Sequence, residues 1–71
     1  MDQEQARFAS RILAPIVSEF KREVAQQRAN GASEADIKKM LERIESTNRS
    51  VMDADQLAFC MELFREAASA A

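Results

Sequence analysis

Few side chains in this sequence are equipped for covalent or acid–base chemistry. It has no histidine, tyrosine or tryptophan, a single cysteine, Cys60, and a single glycine, Gly31. Without histidine, the serines and threonines lack the usual base that activates a hydroxyl nucleophile. Cys60 falls inside an apolar stripe, where a thiol serves as a small buried hydrophobe. The sharper alternative is a thiol at a subunit seam that can cross-link two chains. Asp53-Ala54-Asp55 has the opening spacing of a calcium loop, but the sixth and twelfth positions hold Ala58 and Phe64, where Gly and Glu are required. Helix capping accounts for Asp53 without a metal. Glu19/Glu23 and Glu62/Glu66 are spaced four residues apart, yet a di-metal helical site also needs Glu-x-x-His pairs. These carboxylates therefore read as solvated helix surface. No catalytic residue, metal ligand or cofactor site is expected, and an enzyme is the least favoured function class.

One polar pattern could do non-covalent chemistry. On a helical wheel of the first thirty residues, Arg7, Arg11, Lys21, Arg22 and Arg28 fall within about 120° at roughly 100° per residue, opposite the apolar face. The residues among them, Ser10, Ala14, Ser18 and Ala25, are small. A basic stripe free of bulk is a candidate phosphate-backbone contact for double-stranded DNA. The alternative is an ordinary solvated face, and Glu19 and Glu23 along one edge favour it. The net charge of −2 argues against binding nucleic acid by bulk electrostatics. That average conceals a first segment that leans basic and a remainder that leans acidic. A base-reading helix-turn-helix is not expected, because the third helix turns Glu62, Arg65, Glu66 and Ser69 outward and lacks an Asn, Gln and Arg face.

The elements that would position these groups are three amphipathic helices. Phe8, Ala9, Ile12, Leu13, Ile16, Val17, Phe20 and Val24 recur at three- and four-residue steps, an apolar arc of about 180°. The spacing predicts one helix over 3–29, kinked near Pro15, whose ring removes a backbone hydrogen bond. The alternative is a frayed N-terminal piece with the helix starting at Pro15. Asn30-Gly31 ends it, since glycine adopts the left-handed conformation at a helix C-terminus. Ser33 with Asp36 starts a second helix, over 34–47, whose narrow face is Ile37, Met40, Leu41 and Ile44. Asp53 with Gln56, flanked by Met52 and Leu57, is a capping box with a hydrophobic staple. It opens a third helix over 54–69. Phe59, Cys60, Met61, Leu63 and Phe64 help to widen its apolar arc to about 200°, more than one partner helix covers. Either this helix is wedged between the other two, or part of it meets another chain.

Size sharpens that choice. Seventy-one residues allow one small, all-α domain, 1–71, and a compact chain of this mass exposes about 4,400 Å². The first helix would reach about 40 Å, against about 21 and 24 Å for the others. A closed bundle therefore leaves one of its ends without neighbours, and a homodimer is the favoured remedy. Phe59, Met61, Leu63 and Phe64, helped by the apolar edge of the first helix, are the expected self-association residues. A lone cysteine, an acidic N-terminus and the lack of a membrane-length apolar run point to a cytoplasmic protein away from membranes.

Leu41-Glu42-Arg43-Ile44, Asn48-Arg49 and Asp53-Ala54-Asp55-Gln56-Leu57-Ala58 together resemble the Hha/YmoA family of small enterobacterial regulators that work with nucleoid-structuring proteins. The resemblance covers residues 41–58 and implies a helix–linker–helix and a nucleoid-associated role. The acidic residue with which that family binds its partner corresponds to Arg65 here, so that contact does not carry over. The leading expectation is a non-enzymatic homodimeric interaction module, acting as a regulator, adaptor or chaperone of another protein. A DNA-associated accessory protein is the alternative.

Overall fold

The computed structural model describes residues 2–71; Met1 lies outside the described residues. Three helices, α1 (Gln3–Ala29), α2 (Glu34–Asn48) and α3 (Ala54–Ala70), make up nearly all of it. Each begins with a complete capping box. Asp2 pairs with Gln5, Ser33 with Asp36, and Asp53 with Gln56, the side chain of each cap accepting from the backbone three residues on. Reciprocal caps satisfy donors that a helix start leaves without partners, which is why the three starts are sharp. α1 ends in a Schellman motif: Ala32 N–H donates to Gln27 C=O and Gly31 N–H to Arg28 C=O. Gly31 carries φ +92° there, a backbone state that side chains oppose.

α1 runs unbroken through Pro15, so a helix starting at Pro15 is not adopted. α2 and α3 each extend one residue past the expected ends. At the end of α2, Asn48 Nδ2 donates to Ile44 C=O at 2.8 Å, supplying the last turn with a donor.

α3 is wedged between α1 and α2, which scarcely touch one another. The core is Phe20 and Val24 of α1, Ile37 of α2, and Cys60, Phe64, Ala67 and Ala68 of α3. Leu13, Val17, Met40, Leu41, Ile44 and Met52 are packed around it. The Phe20 and Phe64 rings meet edge to face, 5.1 Å between centroids, the arrangement their quadrupoles favour. Burial thus concentrates in the second half of α1. The first half contributes no fully buried residue, and the molecule measures 39 × 21 × 14 Å. Its surface of 5151 Å² exceeds the roughly 4,400 Å² of a compact chain of this mass.

Candidate functional site

The wide apolar face of α1 is covered on one side only. Leu13, Val17, Phe20 and Val24 turn toward α3 and join the core. Phe8, Ile12 and Ile16, one turn apart, remain 65%, 51% and 52% exposed. They form one wall of a long concave surface. Its first cavity, about 340 Å³, lies between Phe8, Ala9 and Ile12 of α1 and Met52, Phe59 and Cys60 across the gap. A second, about 520 Å³, continues along Ile16 and Phe20 toward Ile44 and Asn48 of α2, with Phe64 as floor. Glu19 and Glu23 edge this far end and Gln5 the near end. Together the two cavities make a largely apolar trough beside this row, with polar side chains at both tips.

The expected self-association residues divide accordingly. Met61 and Phe64 are buried within the chain, so the assignment of self-association to them is corrected, although Phe64 forms the floor of the second cavity. The physical reason is that α3 is central. Two helices pack on it, and most of its broad apolar arc is used up internally. Phe59 and Leu63 are half-buried at its edge, and Phe59 lines the trough. The larger share of free apolar surface belongs to α1.

The basic stripe also divides. Arg28 leaves it altogether. Its guanidinium makes a two-pronged pair with Glu34, Nε to Oε1 at 3.1 Å and Nη2 to Oε2 at 3.0 Å. From Nη1 it donates to Ala68 C=O at 2.6 Å and Ala71 C=O at 2.8 Å. One side chain thereby ties the end of α1, the start of α2 and the end of α3. A cation is well placed against the terminal carbonyls of α3, which have no partners within the helix. Arg22 pairs with Glu19 at 3.1 Å on open surface. Arg7, Arg11 and Lys21 stand exposed. The wheel shows five cations in one arc, but two of them have carboxylate partners in the fold.

Cys60 is 2% exposed, and burial pushes its thiol pKa up, the direction that makes it less nucleophilic. Asp36, held by the Ser33 backbone N–H and hydroxyl and by the nearby charge of Lys39, lies below the ordinary carboxylate value. Both shifts follow from structural roles. Among the described residues there is no group of three or more His, Cys, Asp or Glu side chains placed to hold a metal ion. No described helix is long and apolar enough to cross a membrane. Arg65, on α3, reaches Glu45 of α2 at 3.6 Å. No protein-family model matches the chain, and no curated protein and no solved structure matches it.

Proposed function

We propose that the protein is a non-catalytic, homodimeric interaction module that works in the cytoplasm as a regulator, adaptor or chaperone of another protein. The observation that carries this reading is the exposed row Phe8, Ile12 and Ile16 along the N-terminal part of α1. Three large apolar side chains in one row on so small a chain favour an interface over an ordinary surface. A second copy is the occupant that the area favours. The chain exposes 5151 Å², about 750 Å² more than a compact chain of its mass, close to the roughly 800 Å² each partner brings to a standard interface. The buried thiol and the absence of histidine support a role by contact instead of catalysis.

Sedimentation equilibrium tests the reading. The parent chain is expected at twice its 8.0 kDa mass. Ile12→Glu, at a half-exposed position, is expected to keep the helical circular dichroism and sediment as a monomer. Placing a charge at the centre of the interface should cost about 2 kcal/mol or more of association. A parent chain that remains monomeric at high micromolar concentration removes the proposal.

A second reading rests on Arg7, Arg11 and Lys21, which stand exposed on the outer face of α1. It makes the protein a DNA-associated accessory factor that grips phosphates. Fluorescence anisotropy of a random duplex at about 50 and 200 mM salt tests it, since phosphate contacts weaken steeply with salt. Loss of binding in Arg7→Glu/Arg11→Glu, with helicity intact, would support it, and no binding at the lower salt ends it.

A further inference from the structure

We infer that the second copy lies antiparallel along α1, with the two-fold axis passing beside Ile12. The inference rests on the homodimer reading and adds the geometry of the pair. Phe8, Ile12 and Ile16 are evenly spaced about Ile12, so an antiparallel partner sets Phe8 against Ile16, Ile12 against Ile12, and Ile16 against Phe8. A parallel partner would match the same apolar row equally well. The charges at its tips separate the two arrangements.

Glu19 and Glu23 edge the C-terminal end of the trough, and neutral Gln5 edges the other. Parallel pairing stacks Glu19 on Glu19 and Glu23 on Glu23, gathering four carboxylates at one end of an apolar seam. Like charges so placed repel, and the repulsion grows as the seam excludes water. Antiparallel pairing brings Glu19 opposite Gln5 of the second copy, whose side-chain amide can donate to it. The flank of the seam agrees. Glu4 and Arg22 are eighteen residues apart, five helical turns, and so share one flank of α1. The two-fold keeps that flank on the same side in both copies. It carries Glu4 of one copy to within about 3 Å, along the axis, of Arg22 in the other. Arg22 already holds Glu19 at 3.1 Å, so an acid–base–acid cluster would close each end of the seam.

Cysteine cross-linking at Gln5 and Glu19 tests the arrangement and leaves Phe8, Ile12 and Ile16 in place. Gln5→Cys and Glu19→Cys are made separately in a Cys60→Ala background, then oxidised alone and as a mixture. In the antiparallel pair, like positions lie about 21 Å apart along the axis, beyond disulfide reach, whereas position 5 faces position 19. The expected result is a covalent dimer from the mixture and none from either variant alone. Should the background lose its helical signal, the same variants are made with Cys60 present and the cross-linked peptides assigned by mass. Sedimentation of each sample separates the two ways of failing. A dimer that cross-links like to like, or not at all, overturns the antiparallel geometry and leaves the homodimer standing. A monomer overturns the homodimer and this inference with it.

Discussion

Replacing Arg28 with alanine should destabilise the fold far more than its place on an outward stripe suggests. The side chain donates to Ala68 C=O at 2.6 Å and Ala71 C=O at 2.8 Å, and to both oxygens of Glu34. Hydrogen bonds from a charged donor contribute about 1.5–3 kcal/mol each. At a helix end, water replaces part of that, so the two carbonyl bonds together come to about 2–3 kcal/mol. The Glu34 side chain is 81% exposed, so the ion pair adds only about 0–1 kcal/mol. The sum, about 3 kcal/mol, is a large part of the roughly 4–11 kcal/mol expected for a domain of this length. It corresponds to a fall in Tm of roughly 12–24 °C. Urea titration followed by far-ultraviolet circular dichroism measures it, with all variants at one protein concentration because association is linked to stability. Glu34→Gln should cost under about 1 kcal/mol. Arg28→Lys should fall between, because a single ammonium cannot reproduce the planar fork. An Arg28→Ala midpoint within about 0.5 kcal/mol of the parent, the range of a plain surface change, would refute the tether.

Four further outcomes are expected. Cys60, buried with its thiol pKa raised by desolvation, should react with iodoacetamide far more slowly in the folded chain than in urea; equal rates would contradict its burial. Because its folded pKa lies above the unfolded one, its linkage to stability is flat at lower pH and turns unfavourable as pH rises through the unfolded thiol pKa. Cys60→Ala should abolish that alkaline decline in Tm. Asp36 shows the opposite sign: its carboxyl is lowered by the Ser33 backbone and hydroxyl hydrogen bonds and by Lys39. Its contribution is present above the ordinary carboxylate pKa and is lost as pH falls toward the folded value, so Asp36→Asn should flatten the acid limb of a Tm–pH profile. Gly31→Ala meets no atom within 4 Å, yet φ +92° should make it cost about 1–2 kcal/mol. A neutral result by thermal melt would mean that the loop relaxes.

The helices and their limits were legible in the amino-acid sequence because their causes are local. Ser33 with Asp36 and Asp53 with Gln56 cap their own helices across three residues, and Gly31 ends α1 through its own backbone. The all-α class follows from the same short-range periodicity. The first capping box, Asp2 with Gln5, carries an equally local signal, an acid followed three residues later by glutamine.

Tertiary structure decided which apolar arcs are consumed. A helical wheel reports the width of an arc, not the direction of its neighbours, so α3, with the wider arc, looked the better candidate for an uncovered face. With α3 between two partners, Met61 and Phe64 are buried inside the chain. α1, packed mainly on α3, keeps Phe8, Ile12 and Ile16 exposed. The fate of Arg28 was likewise beyond sequence reading. Its carbonyl partners lie forty and more residues away, and only the fold brings the end of α3 beside the end of α1.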